Sequence, residues 1–118
     1  MDQGTRAIYD ALKQAARRQN ALFYEDIAPL AGIDLGNLGD RTRLSHMLES
    51  ISLAEHAQGR PLLTAIVVLK GRLTPGSGFF GLAQRCGVYD GVEDKDLFFS
   101  RYLQTVFDAW NSPEARRW

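Results

Sequence analysis

A nearly continuous apolar run, Leu62 to Leu69, constrains the fold of this chain more than any other stretch of its sequence. The run is rich in β-branched residues and carries no charge, a pattern typical of a strand that is covered on both faces. It is far shorter than the ~20 residues that a membrane-spanning helix requires. We therefore predict a buried central strand over residues 61–70 and no membrane segment.

The size and charge of the chain limit its class. The 118 residues suffice for one hydrophobic core, so we predict a single domain over 1–112 and a frayed tail over 113–118. Cys86 is the only cysteine, which excludes an internal disulfide and favours a cytoplasmic location. Acidic and basic residues balance at 14 each, which argues against strong duplex binding unless a basic face is offset by an acidic one.

Helical periodicity precedes the apolar run. A first amphipathic helix begins after Thr5, its predicted N-cap, and a short helix over 25–31 follows it. A longer third helix begins at Asp40 and carries an apolar stripe. The same periodicity would place Leu53 outside and Glu55 inside, so we predict a kink or break in the third helix near residue 52.

The segment after the apolar run, TPGSG at 74–78, admits two interpretations. Its glycines would allow a phosphate-binding loop, but Phe79 and Phe80 follow where such loops carry Lys and Ser or Thr. The favoured interpretation is a type II turn with Pro75 and Gly76 at its centre. The next residues, 79–87, favour a short helix over a second strand, with Cys86 as a buried structural thiol.

The last predicted helix, 93–110, carries more aromatic surface than one packed face normally needs. Part of that stripe closes the core. The remainder is predicted to bind a protein partner or a second copy of the chain, and the alternative is that the whole stripe is core. The predicted partner-binding residues are Phe98, Tyr102 and Trp110.

The order of elements is that of a winged helix-turn-helix: helix, strand, helix, turn, helix, strand and basic loop. We predict an α+β fold, mainly helical and winged helix-turn-helix-like, with one buried central strand and a C-terminal aromatic helix. In such folds the third helix and the wing contact DNA. The predicted nucleic-acid-binding residues are Arg41, Arg43, Ser45, His46, Arg60, Lys70 and Arg72. The competing hypothesis is a protein-interaction or dimerisation module, because winged-helix shapes serve both purposes.

Two sequence resemblances bear on this prediction. The segment 61–68, the P-G-x-G-F-F turn at 75–80 and the terminal aromatic helix resemble a family of small uncharacterised bacterial proteins, which implies no particular activity. The segment 24–32, with the pattern Y-x-x-I-A-x-x-A-G, resembles the winged-helix part of alkyltransferase-like DNA-repair proteins. Their Pro-Cys-His-Arg motif has no counterpart in this chain, so the resemblance does not imply alkyl transfer.

Catalytic and metal chemistry have little support in the sequence. His46 and Glu49 lie three residues apart on one helix and would supply two metal ligands, whereas a catalytic zinc site uses three protein ligands. No histidine lies close to Cys86 in sequence to activate its thiol. We therefore predict no enzyme activity, no metal and no cofactor.

Overall fold

The computed structural model describes all 118 residues and shows a mainly helical chain with a small two-stranded parallel sheet. Five α-helices and two short strands alternate with 3₁₀ turns. In chain order the elements are α1 (Gln3–Arg17), β1 (Leu22–Phe23), α2 (Tyr24–Ile27), a 3₁₀ turn (Ala28–Ala31), α3 (Leu38–Ala57), a 3₁₀ turn (Leu63–Ile66), β2 (Val67–Val68), α4 (Ser77–Arg85), α5 (Lys95–Trp110) and a 3₁₀ helix (Pro113–Arg117). No helix is both long enough and apolar enough to cross a membrane.

The apolar run lies at the centre of the core, but most of it is not a strand. Residues 62–68 are each at most 5% exposed, whereas only Val67 and Val68 pair with another strand, in parallel with β1. The preceding backbone is satisfied by side chains instead. The Leu62 N–H donates to the Tyr102 hydroxyl at 2.7 Å, and the Thr64 N–H donates to Ser52 Oγ at 3.2 Å. These bonds replace the ladder that a full-length strand would need from neighbouring strands.

The α3 helix is continuous from Leu38 to Ala57, so the predicted break near residue 52 is wrong. Its N-cap is Asn37, whose side chain accepts from the Asp40 N–H at 2.9 Å, and Asp40 instead accepts from the Asp34 N–H. Glu55 is fully buried, as the helical periodicity placed it. The helix tolerates this buried carboxylate because Tyr9 and Arg60, which lie outside α3, donate hydrogen bonds to it. The local sequence pattern does not reveal these partners.

The first helix begins earlier than predicted. Asp2, not Thr5, is the N-cap of α1, and its carboxylate accepts from the Thr5 N–H at 2.7 Å. This hydrogen bond, and a further one from the Thr5 side chain, lower the pKa of Asp2 below its ordinary value. Thr5 itself is buried within the first turn of the helix.

The proline-glycine segment is not a type II turn. Gly76 has φ −67°, whereas that turn requires a positive φ at its second central residue. Gly76 is the N-cap of α4, and its N–H donates to the Tyr24 hydroxyl at 3.2 Å. The helix after it is confirmed, and Gly87, with φ +78°, follows its end. Cys86 is only half-buried.

The tail predicted to be frayed is ordered against the domain. Residues 113–117 form a 3₁₀ helix with Ala115 buried at 2% exposure. The Trp118 ring meets the Trp110 ring edge-on at a centroid distance of 5.0 Å. Lys13 Nζ donates to the Trp118 carbonyl oxygen at 3.2 Å. Aromatic and cationic contacts together fix a segment whose composition alone suggested disorder.

The aromatic stripe of α5 faces the core. Phe98, Tyr102 and Trp110 are 1%, 9% and 2% exposed, so the prediction that they form a partner-binding surface does not fit the structure. Phe98 stacks on Tyr89 and Tyr102 at centroid distances of 4.5 and 5.3 Å. The aromatic side chains of α5 contact aromatic side chains of α4 and of the 87–94 loop, which both pack on α5.

The arrangement around the sheet differs from the predicted winged helix-turn-helix. The loop that follows β2 leads into α4 instead of a returning strand, and the two strands pair in parallel. The antiparallel hairpin that forms the wing of such folds is therefore not present. The loop with Lys70 and Arg72 still projects beside the start of α3, and this places the candidate site.

Candidate functional site

A surface cleft lies where the start of α3 meets the loop after β2. It has a volume of about 370 Å³, and we call it the α3–loop cleft. The parallel pairing of β1 with β2 brings α2 and the loop to the same side of α3. Its walls are formed by Tyr24, Glu25, Leu35, Arg41, Leu44, Ser45, Leu69, Lys70 and Gly76.

Three of the predicted nucleic-acid-binding residues meet in this cleft. Arg41 and Ser45 enter it from α3, and Lys70 enters it from the loop. Arg72 is exposed two residues further along the same loop. Arg41, Lys70 and Arg72 form no ion pair, since the four ion pairs of the protein involve other arginines. The cleft therefore presents two cations that form no ion pair, Arg41 and Lys70, against one carboxylate in its wall, Glu25.

The other predicted residues lie elsewhere. Arg43 points to the opposite flank of α3, where it donates to the Ala31 carbonyl at 3.4 Å and lies 3.9 Å from Asp40. His46 is exposed, and the helical period places it on the outward face of α3, away from the cleft. Arg60 follows the far end of this 20-residue helix, about 30 Å from its start. The seven predicted residues therefore do not all lie on one surface.

A second, inner cavity continues from the cleft. It has a volume of about 280 Å³ and shares Tyr24, Ser45 and Gly76 with the cleft. Burial raises the pKa of Tyr24, so its hydroxyl stays protonated at neutral pH. Ser77 and Gly78, at the start of α4, also line this cavity, so the TPGSG segment faces the site without forming a phosphate loop of the Walker pattern.

Carboxylates limit how much negative charge the site accepts. Glu25 lies in the wall of the cleft, and Glu49 lies in the wall of the inner cavity. Glu49 is compensated by Arg85 at 3.1 Å. No three metal-ligating side chains lie together anywhere in the chain. This arrangement of side chains suits an extended anion that is held by several separate contacts. Glu25 and Glu49 would repel negative charge that comes close to them.

A polar cluster that sequence reasoning missed lies at the other end of α3. Glu55 Oε1 accepts from the Tyr9 hydroxyl and from Arg60 Nη1, the latter at 3.2 Å. Burial, followed by the hydrogen bond to Glu55, raises the pKa of Tyr9 well above its ordinary value. The Arg60 guanidinium also lies 4.7 Å from the centre of the Trp118 ring. The one signal for this cluster was the periodicity that placed Glu55 inside.

Arg60 therefore serves the fold and does not project toward a phosphate. Its side chain is 19% exposed and is held between the Glu55 carboxylate and the Trp118 ring.

A comparison with known proteins finds no matching family model, no matching curated protein and no matching solved structure. Function is consequently inferred from the geometry and charge of the cleft itself.

Proposed function

We propose that this protein binds nucleic acid through its phosphates at the α3–loop cleft. One observation carries the proposal: Arg41 and Lys70, distant in sequence, line one cavity and have no carboxylate partner. Arg72 adds a third unpaired cation from the same loop. Ser45, which makes no hydrogen bond through its hydroxyl, adds a neutral donor of the kind that commonly contacts phosphate oxygens.

Phosphate contact fits this site better than base recognition. Arg43 and His46, which would extend the contact along α3, face away from the cleft. The chain has no net charge, and Glu25 stands in the cleft wall, so affinity depends on a few local contacts. Three phosphate contacts give a slope of log K against log salt of about −2.7. Binding is therefore weak, salt-sensitive and largely independent of sequence.

The fold type, the cellular location and the absence of an enzymatic role form part of the same proposal. The succession of α1, β1, α2 and α3 supports a winged-helix-like arrangement in which α3 and the following loop present the cations. The resemblance to the small bacterial family, carried by segments 61–68 and 75–80 and by the terminal aromatic helix, implies no particular activity. A single cysteine supports a cytoplasmic location. We infer a binding role and not an enzymatic one.

Neutralising the two cations of the cleft and the neighbouring Arg72 tests this function. The triple variant Arg41→Gln/Lys70→Gln/Arg72→Gln is expected to weaken binding of a fluorescein-labelled duplex by at least roughly tenfold at low salt, because each phosphate contact contributes counterion release. Fluorescence anisotropy at several salt concentrations measures both affinity and slope. The slope for the variant should fall toward zero.

A matched control separates this site from general charge. The triple variant Arg6→Gln/Arg18→Gln/Arg116→Gln removes the same charge from exposed arginines that do not line the cleft. It should retain most of the affinity and most of the salt slope. Equal losses in both triple variants, or no binding by the unmodified protein at micromolar concentration, would contradict the proposal.

A protein-interaction role is the second candidate, supported by a different surface. Val92, in the loop before α5, and Leu97, in the first turn of α5, are 88% and 67% exposed, unlike the buried aromatics of that helix. If they form a contact between copies, sedimentation velocity at high protein concentration shows a dimer. The variant Val92→Ser/Leu97→Ser should then be monomeric under the same conditions. A monomeric unmodified protein at every concentration would count against self-association.

A further inference from the structure

The loop between β2 and α4 carries an exposed leucine in an unfavourable backbone conformation. Leu73 is 63% exposed and has φ +57°, in the left-handed region. Only one other non-glycine residue in the chain, Gln19, shares that region. Leucine has no side-chain polar group to stabilise this conformation, and glycine or asparagine would adopt it more readily. A strained residue that serves no packing role points to a contact outside the chain.

The loop holds this leucine in a defined position. The Leu73 N–H donates to the Leu69 carbonyl at 2.8 Å, and the Leu69 N–H donates to the Thr74 carbonyl at 2.8 Å. These two bonds close the loop at its base. Leu69 lines both the α3–loop cleft and the neighbouring cavity that contains Leu73. The leucine therefore projects next to the cleft from a fixed support.

Unpaired cations stand on the same loop. Lys70 and Arg72 flank the approach to Leu73 and make no ion pair, although Asp96 lies in the wall of the neighbouring cavity. An apolar tip beside cations suits a polyanion that carries apolar planar groups. Proteins that contact the minor groove combine cationic contacts to the backbone with an apolar wedge between base steps. Lys70 Nζ lies 5.7 Å from the centre of the Phe23 ring, but a purely apolar protein surface would leave both cations without a counterion.

We propose that Leu73 is a wedge that enters a step between neighbouring bases when Arg41, Lys70 and Arg72 hold the phosphates. This inference rests on the proposed function and adds the part of the nucleic acid that the loop contacts. Pyrimidine–purine steps unstack most easily, so they are the preferred steps for such an insertion. The two hydrogen bonds at the base of the loop hold the Leu73 backbone in this conformation before the nucleic acid arrives.

Base unstacking provides a direct test. A duplex with 2-aminopurine in a central TA step should become more fluorescent when the unmodified protein binds, because 2-aminopurine is quenched while it is stacked. The variant Leu73→Asn should abolish that increase and raise Kd roughly fivefold to tenfold, through the loss of one apolar contact. Asparagine accepts the left-handed conformation, so this variant should unfold at the same temperature as the unmodified protein or above it.

The control is Leu97→Asn, which replaces another exposed leucine, on α5 and outside the cleft. It should leave both the fluorescence increase and Kd unchanged. Binding without unstacking, or equal unstacking by the Leu73→Asn variant, overturns the wedge and leaves the proposed function standing. Absence of any duplex binding overturns both. Loss of a protein dimer in the Leu73→Asn variant, with unstacking unchanged, assigns Leu73 to a protein interface instead.

Discussion

Replacing Arg60 with methionine is expected to lower the free energy of unfolding by about 3–5 kcal/mol, the loss found when one partner of a buried ion pair is removed. Glu55 is 0% exposed, and Arg60 is the cation that lies within 4 Å of its carboxylate. Glu55 Oε2 already has no hydrogen-bond partner, so the site has no spare donor to compensate for the loss. Contact of the guanidinium with the Trp118 ring is lost as well.

Urea denaturation followed by circular dichroism measures this effect, and a second variant isolates its cause. Glu55→Gln/Arg60→Met removes both charges but keeps an acceptor for the Tyr9 hydroxyl. It should recover much of the stability that Arg60→Met loses, since no buried charge is then left unpaired. If the double variant is as unstable as the single one, the loss arises from packing and not from the stranded carboxylate.

The same variants bear on the function first assigned to Arg60. Because Arg60 is engaged by Glu55 and Trp118, Glu55→Gln/Arg60→Met should bind duplex with nearly unchanged affinity at a temperature where it is folded. A large loss of binding in the folded double variant would return Arg60 to the nucleic-acid interface.

Truncating Trp110 is the second large effect, expected at about 3–5 kcal/mol for Trp110→Ala. Trp110 is 2% exposed at the end of α5, packs edge-on against Trp118 and lies under the Arg17 guanidinium at 5.1 Å. Its removal opens a cavity and also takes away the ring against which Trp118 of the C-terminal segment packs. Stabilities of small domains are about 5–15 kcal/mol, so the variant should be close to unfolded at moderate urea.

Two companion variants sharpen this prediction. Trp110→Phe keeps most of the ring and removes a buried N–H that has no acceptor, so it should cost far less than Trp110→Ala. Leu97→Ala, on the same helix but 67% exposed, should change stability by no more than about 0.5 kcal/mol. Chemical denaturation followed by circular dichroism compares all three. An alanine variant as stable as the phenylalanine variant would contradict the packing role of Trp110.

Inside and outside were the most predictable properties of this chain. The run Leu62–Leu69 lies in the core except for its last residue, which is half-buried, and the apolar stripes of the helices face inward. Even Glu55 lies where periodicity placed it. Burial depends on how strongly each side chain avoids water and on the spacing of apolar residues along the chain, and both can be read from the sequence. Several helix ends follow local chemistry too: Gly32, Gly59 and Gly87 all adopt positive φ after helical segments.

The candidate site was predicted only in part. Arg41, Ser45 and Lys70 do share one cleft, since α3 and the loop after β2 meet as the order of elements suggested. Arg43 and Arg60 were assigned to the same surface because their charge was visible and their partners were not. Arg43 lies 3.9 Å from the Asp40 carboxylate, and Arg60 lies 3.2 Å from the Glu55 carboxylate. Asp40 and Arg43 lie three residues apart on α3, so helical spacing could have indicated their contact. Arg60 lies beyond the end of α3, and its contact with Glu55 depends on how the chain folds back after the helix.

The amino-acid sequence by itself determined which side chains leave water and where most helices stop, because hydration and backbone preference act locally. Only the tertiary structure decided that residues 63–66 are a 3₁₀ turn and not a strand, since Tyr102 and Ser52 arrive to satisfy the backbone there. The same holds for the ordered tail, which Lys13 and Trp110 hold in place. Hydrogen-bond partners and counterions come from distant parts of the chain, and their positions exist only once it has folded.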